Sequence, residues 1–397
     1  MKIGIYMDEY IPHDGGGFTF QTEIFESVLE LAEKSHHEFV VITKQHKVVA
    51  PQLQGTKMEL LPISAPGIVE KTIAFLIRNR PNLRNSLRWS TSLERLARKR
   101  GIEFIWFLGP RPKDIDLPYM TSVLDLEHRL KPWFPEVSRW GQWDTRERGF
   151  ERFLGRAAAI ITGTEVGKAQ IENFYRVPGE RIHILPHPTP SFALQDDEGM
   201  DAVLPQQLTL KADYLFYPAQ FWAHKNHMNL LLALKELKEN HKLIMPLVFA
   251  GSDFGNQAYI EEQVKELGLE AQVQILGFVE QSELLALYKN ALALTYVTFF
   301  GPENLPPLEA MALGCPVIAS DVIGAEEQLG EAAMLVDPAK PGEIAAAIVK
   351  LAGDKKLRDK LILRGHKRAA NWTVEDFVLA AFKILDNFEP IRRVWRD

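Results

Sequence analysis

Short apolar runs alternate along the chain with longer stretches in which apolar residues return every three or four positions. In the first half the runs are Ile3–Tyr6, Phe39–Thr43, Phe104–Leu108, Thr121–Leu124, Ala158–Thr162 and Ile182–Leu185. They lack the in-and-out alternation of a strand with one wet face, so they predict strands buried on both sides. Between the first two runs, Ile24, Phe25, Val28, Leu29 and Ala32 mark one face of a helix over Phe20–Leu31. Buried strands alternating with helices predict a parallel sheet with helices on both faces.

The pattern breaks from His187 to Asp213, where prolines, acidic residues and lost periodicity mark a linker. It then restarts with strands at Tyr214–Tyr217, Leu247–Ala250, Val273–Leu276, Ala291–Val297, Pro316–Ser320 and Ala333–Val336. Helices begin near Asn226, Gln257, Ser282, Pro306, Gly342 and Leu357. The reading is therefore an α/β chain of two Rossmann-like, doubly wound domains, residues 1–190 and 213–375, joined by a linker at 191–212. A last apolar stretch, Phe377–Phe388, predicts a terminal helix within 376–397 that packs back on the first domain. Sheets of this kind bind ligands at the carboxyl ends of their strands, so the two domains should face each other across a crevice.

Composition adds exclusions. With 46% apolar and 25% charged residues the chain is an ordinary globular one. Its single cysteine, Cys315, rules out an intramolecular disulfide and a multi-thiolate zinc site. The longest apolar stretch, Ala291 to Gly301, falls far short of the roughly 20 residues that span a bilayer. No apolar leader segment precedes Asp8 and Glu9, and the expected location is the cytoplasm. Charge is uneven: Val69–Arg100 holds nine basic and two acidic residues, a local +7 in a chain of −6, which leaves −13 elsewhere. Apolar residues interleave with these charges, a pattern that fits two solvated helices or a basic amphipathic surface resting on anionic lipid at the inner face of the membrane. Nucleic acid is not an expected partner, because no recognition motif accompanies the patch.

Two loops carry candidate chemistry. In DGGGFTF, Asp14 to Phe20, glycines Gly16 and Gly17 stand between the first strand and the first helix, where bare backbone can approach a ligand. In the second half, YPAQFWAHKNH places Lys225 just before a helix, so its ammonium and the free helix N–H groups can meet a diphosphate. In FFGPENLPPLEAMALGCPVIASD, Pro306 and Pro307 start a helix that carries Glu309 in its first turn. A carboxylate there can accept two hydrogen bonds from a vicinal diol, or serve only as a favourable charge near a helix start.

Taken together these residues resemble glycosyltransferase family 4, retaining enzymes of the GT-B fold that use nucleotide sugars. The resemblance runs over the glycine loop, VLDLEHRLKPWFPEVS, ITGTEVGKAQIENFYRVPGERIHILPHP and the second-half motifs YPAQFWAHKNH, FAGSD, LGFV and FFGPENLPPLEA. The family's second domain usually carries two glutamates separated by seven residues. Glu309 matches the second; the first position is Gly301, with Glu303 and Asn304 beside it. Gln220 stands where the family commonly has Arg, and the usual His-Asp pair reads Leu124-Asp125, with His128 three residues on.

The resemblance implies a donor site of Gly16, Gly17, Gln220, Lys225, Gly277, Phe278, Val279, Glu303, Asn304, Leu305 and Glu309, and catalytic roles for Lys225, Asp125 and His128. The ribose would sit on Glu309, the diphosphate on Lys225 and the N–H groups of Asn304 and Leu305, and the base near Gly277 to Val279. It implies hexose transfer, mannose from GDP-mannose first and a UDP-hexose second, to a glycan or lipid-linked glycan. Trp133, Phe134, Trp140 and Trp143 form either an acceptor platform or core. No cofactor and no metal are expected: Asp114-Ile115-Asp116 is a two-carboxylate match, and Lys225 lies between His224 and His227. A nucleotide-sugar epimerase or hydrolase on the same fold, and a non-catalytic sugar-binding protein, are the alternatives.

Overall fold

In the computed structural model, which describes residues 1–7, 16–64, 67–79, 89–194, 203–210 and 213–395, every paired strand runs parallel to its neighbour. The first sheet contains β1 (Lys2–Met7), β2 (Glu38–Thr43), β3 (Glu59–Pro62), β4 (Phe104–Phe107), β5 (Tyr119–Ser122), β6 (Ala159–Thr162) and β7 (Ile182–Ile184), in the order β3-β2-β1-β4-β5-β6-β7. The second contains β8 (Tyr214–Pro218), β9 (Leu247–Ala250), β10 (Val273–Ile275), β11 (Ala291–Tyr296), β12 (Val317–Ser320) and β13 (Ala333–Val336), in the order β10-β9-β8-β11-β12-β13. Strand order reverses between β1 and β4 and again between β8 and β11. These are the switch points at which such sheets open a crevice.

The helices that matter below are α1 (Gly16–Leu31), α2 (Glu127–Leu130), α3 (Gln142–Phe153), α4 (His227–Asn240), α5 (Gln281–Asn290), α6 (Leu305–Ala312), α7 (Lys355–Ala369) and α8 (Val374–Arg392). Helix α6 starts one residue before the expected prolines, which moves Glu309 into its second turn. Strand β3, at the sheet edge, was not expected from the pattern; it is short and opens on the polar Glu59.

Each sheet has its own core. Phe216, Leu230, Leu234, Phe249, Leu294 and Ile318 are fully buried around the second. Around the first, Ile3, Ile5, Phe25, Val28 and Trp106 are joined by Phe377, Val378, Ala381 and Leu385 of α8. Helix α8 thus leaves the second domain and lies on the first: the Phe382 ring stacks on Phe39 at 4.9 Å, and Phe388 meets Phe104 edge-on at 5.1 Å. The chain crosses between domains twice, and the two crossings are tied side by side. Thr189 Oγ1 donates to the Ala369 carbonyl at 2.8 Å and Trp372 Nε1 to that of Pro186 at 2.9 Å.

The basic segment contains a helix at Ile68–Asn79 and another at Ser92–Lys99, the latter capped by Thr91, whose hydroxyl accepts the Glu94 N–H at 3.1 Å. Arg80, Arg84, Arg88, Gly15 and part of the 191–212 linker lie outside the described residues. On the first helix Ile68 and Val69 are 84% and 72% exposed. Among the described residues, no helix is long and apolar enough to cross a membrane.

Candidate functional site

A cleft of about 640 Å³ opens at the carboxyl ends of both sheets. Gly17 and Glu23 of α1, Asp125, Glu127 and His187 line it from the first domain; Gln220, Lys225, Phe278, Val279, Tyr296, Glu303, Asn304, Leu305 and Glu309 line it from the second. Gly16 opens α1 beside Gly17.

Two second-domain groups have the chemistry of a nucleotide site. Glu309 projects from α6 against α5, where its Oε2 accepts the Tyr288 hydroxyl at 2.7 Å. Burial pushes its carboxyl up to about 7, with the Tyr288 hydrogen bond holding it back in part. Lys225 ends a tight turn that Asn226 closes with φ 60°, its side-chain amide donating to the carbonyls of Val297 (2.7 Å) and Pro338 (2.8 Å). That turn delivers the Lys225 ammonium to the cleft beside the start of α4, where Nζ donates to the Tyr296 hydroxyl at 2.8 Å. Gln220 is engaged by the Trp222 indole, whose Nε1 donates to its Oε1 at 2.9 Å.

The loop before α6 corrects part of the sequence reading. Gly301 has φ +132°, and a Cβ there would meet the Asn304 amide at 2.6 Å, so no glutamate fits this position with this backbone. The Asn304 N–H, expected to face a phosphate, instead donates to Gln328 Oε1 at 3.0 Å, and Gln328 Nε2 returns a bond to the Asn304 carbonyl at 2.9 Å. Gly277 adjoins the lining residues Phe278 and Val279, and its carbonyl accepts the Gly251 N–H at 2.7 Å. Glu303 reaches across to the first domain, where Oε1 accepts the His187 N–H at 2.7 Å. Its carboxylate lies so close over Gly163 that an added Cβ would fall 1.2 Å from Oε2. Burial raises the Glu303 carboxyl, against the pull of His187.

On the first-domain wall His128 stands apart from the cleft. It is fully buried, stacked on Phe150 at 5.4 Å, with Nε2 3.0 Å from Glu147 and 3.2 Å from the Tyr175 hydroxyl. The expectation of a catalytic His128 is therefore corrected: its helical turn carries it into the core behind α2 and points its neighbour Glu127 into the cleft. Asp125 does line the cleft, but its Oδ1 accepts both the Glu127 N–H, at 2.9 Å, and an Arg146 N–H. Burial is the strongest influence and opposes its ionisation, but Arg146, the Glu127 N–H and His224 together outweigh it and hold the carboxyl below its ordinary range.

Sequence reasoning missed the next layer, because it is assembled from both domains. Glu136, from a short helix at Pro135–Ser138, accepts the backbone N–H of His224 at 3.0 Å and pairs with its Nδ1. Glu127 Oε1 lies 3.4 Å from the same Nδ1. Burial first, then the charges of Asp125 and Glu136, push the Glu127 carboxyl up to about 8. One ligand atom from each of Glu127, Glu136 and His224 lies within 4.8 Å of the others, a donor set able to receive a cation. His227, by contrast, stacks on Phe221 at 4.4 Å inside the core. Asp114 is held by Arg152 through two 2.7 Å bonds and Asp116 by Arg156 at 2.5 Å. Of the aromatic group, Trp143 donates to the His128 carbonyl at 2.7 Å, Phe134 meets Phe299 across the domains at 6.0 Å, and Trp133 and Trp140 are exposed.

Residues 204–368 match the family model described as Glycosyl transferases group 1. Among curated relatives, O-antigen chain mannosyltransferase B of Escherichia coli is 26% identical over 249 residues, 60% of this chain and 64% of that protein. O-antigen chain mannosyltransferase RfbU of Salmonella typhimurium is 28% identical over 228 residues, 56% of this chain and 58% of that protein. The chain thus spans less than two thirds of the length of either relative. Among solved structures, sucrose-phosphate synthase from Thermosynechococcus elongatus superposes with a TM-score of 0.70 at 18% identity, covering 98% of this chain and 99% of that one. HepE of Anabaena, solved with UDP and glucose, gives 0.65 at 15% identity, covering 98% and 100%. These likenesses establish the GT-B architecture of two facing Rossmann-like domains.

Proposed function

We propose that the chain is a retaining, nucleotide-sugar-dependent glycosyltransferase that moves a hexose to a glycan or lipid-linked glycan in polysaccharide or glycoconjugate synthesis. The observation that carries the reading is that Lys225 and Glu309 line one cleft between two Rossmann-like domains, a cation for a diphosphate and a carboxylate for a ribose diol. The matched family segment contains both residues. Mannose from GDP-mannose is the first donor, in keeping with the mannosyltransferases among the relatives, and a UDP-hexose is the second.

The chemistry follows from charge. As the bond from the anomeric carbon to the diphosphate stretches, negative charge grows on the leaving oxygen and positive charge on the sugar ring. Lys225, backed by the N-terminus of α4, opposes the first charge, and each charge-assisted hydrogen bond contributes about 1.5 to 3 kcal/mol. Retention follows if the acceptor attacks the face the diphosphate leaves. The exposed Ile68, Val69 and Leu76, beside Lys71, make the helix at Ile68–Asn79 the contact with an anionic cytoplasmic membrane surface that carries a lipid-linked acceptor.

A thermal-shift screen of nucleotide sugars tests donor binding, since a ligand of the folded state raises stability. Product analysis with donor alone and with acceptor then separates transfer from hydrolysis. We expect turnover to persist in EDTA; loss of turnover that Mn²⁺ restores would reject the metal-free reading.

A further inference from the structure

Away from the cleft, four side chains converge where the end of α8 passes the start of β2. His36 and His37 stand just before β2, and Asp386 and Glu389, three residues apart, share a face of α8. None of the four lines the cleft. The His36 ring turns both nitrogens to α8: Nε2 lies 2.9 Å from Glu389 Oε2 and Nδ1 lies 3.7 Å from Asp386 Oδ1. A carboxylate only accepts, so Nε2 carries the hydrogen and Nδ1 presents its lone pair beside Asp386. The His37 side chain is fully buried, with Nδ1 3.2 Å from the Met1 amine. Its Nε2 is 3.1 Å from the same Asp386 Oδ1 and yet makes no hydrogen bond, because the oxygen is set to one side of the ring nitrogen's axis. Among the described residues Asp386 has no Lys or Arg partner; its ionic contacts are these two histidines. Glu389 also meets the Met1 amine at 3.1 Å and Arg393 at 3.6 Å.

We propose that His36 Nδ1, His37 Nε2 and Asp386 Oδ1 bind one divalent transition-metal ion of the zinc class, which clips α8 to the start of the first sheet. One ligand atom from each residue lies within 4.8 Å of the others. With metal bonds of about 2.0 to 2.1 Å, neighbouring ligands of a tetrahedral ion are roughly 3.3 to 3.4 Å apart. The 3.1 and 3.7 Å separations from Asp386 bracket that spacing. An oxygen beside a nitrogen's axis is a poor hydrogen-bond arrangement but the normal one for two ligands of a single ion, whose bonds meet at the metal. Two imidazoles and a carboxylate are donors that zinc takes readily. Glu389 would act as the outer carboxylate that fixes the tautomer of a ligating histidine. His36 and Asp386 are exposed, which gives the ion a way in and leaves room for a water as fourth ligand. On binding, His37 Nε2 gives its lone pair to the ion, the ring hydrogen sits on Nδ1 against the Met1 amine, and one proton leaves to solvent. The ion would join residues about 350 positions apart in the chain, across the last helix and an early strand.

The experiment titrates the full chain, free of any histidine tag, with Zn²⁺ by calorimetry and follows its melting temperature with and without the ion. The expected result is uptake with a Kd in the micromolar range or tighter and a melting temperature that rises with Zn²⁺. His36→Gln and Asp386→Asn change exposed positions and leave the core intact. Loss of a ligand's supporting partner alone typically costs about 10- to 100-fold in metal affinity, so each variant should weaken Zn²⁺ binding by at least about tenfold and lose most of the melting shift. His224→Gln disables the other donor set, at the domain junction, and should bind Zn²⁺ as wild type does. A wild type that takes up no Zn²⁺ in the micromolar range would overturn the proposal. So would binding that both His36→Gln and Asp386→Asn leave unchanged, or binding that His224→Gln abolishes. The cleft includes none of the three ligands, so these outcomes leave the transferase reading to its own tests.

Discussion

Replacing Glu309 by glutamine should make the protein more stable and a worse binder at the same time. The Glu309 carboxyl stands at about 7 in the folded chain against 4.5 for an ordinary glutamate. At about 1.36 kcal/mol per unit, holding it ionised costs the fold on the order of 3 kcal/mol above pH 7. The sign is set by the raised folded value: the fold keeps the proton more tightly, so this group's contribution is full below pH 4.5 and is lost as pH rises through about 7. An amide carries no such cost, and its oxygen can still accept the Tyr288 hydroxyl. At pH 8 the melting temperature of Glu309→Gln should therefore rise by several degrees, at about 2 to 4 °C per kcal/mol. Donor affinity should move the other way. A ribose diol donates twice to the carboxylate, and loss of charge-assisted bonds worth about 1.5 to 3 kcal/mol weakens Kd by roughly 10- to 150-fold. Wild-type affinity should itself fall about tenfold from pH 8 to pH 6 as Glu309 takes up its proton, and the variant should lose that dependence. Scanning fluorimetry and calorimetry with the same nucleotide sugar give both readings. A variant that melts lower at pH 8, or binds donor as wild type does, would refute the reasoning.

Three further outcomes are expected. Lys225→Ala should lower kcat/KM by about 10²- to 10³-fold with little change in melting temperature, because among the described residues its ammonium engages Tyr296, through the hydroxyl and the ring face. Gly163→Ala should force Glu303 out of its seat between the domains, giving a larger radius in small-angle scattering and loss of turnover; adding Glu303→Ala should restore the compact shape but not the activity. Lys71→Glu with Leu76→Ser should abolish co-sedimentation with anionic vesicles, and wild-type binding that ignores anionic lipid content would remove the membrane assignment.

The fold was legible because buried parallel strands leave uninterrupted apolar runs: Leu247–Ala250 and Ala333–Val336 fall on their expected residues. Edge strand β3 escaped because its Glu59 and exposed flank break such a run. Lys225 and Glu309 were legible because each follows from a local helix start. His128 misled, since a histidine next to a charged loop reads the same whether it turns inward or outward; only α3 and Tyr175, packed against it, decide. Glu127, Glu136 and His224 come together across two domains, and Glu303 finds Gly163 and His187 the same way. Such meetings depend on tertiary placement, which no local spacing records.

The position of α8 also bears on how the chain is made. The first sheet and α1 precede the second domain in the chain, yet the helix that covers them is made only after the whole of that domain. At about 5 to 20 residues per second, the nascent first domain waits for some tens of seconds with the apolar surface around Phe39 and Phe104 bare. During synthesis that surface is a natural client for a chaperone, and the second domain has time to fold before the first is sealed.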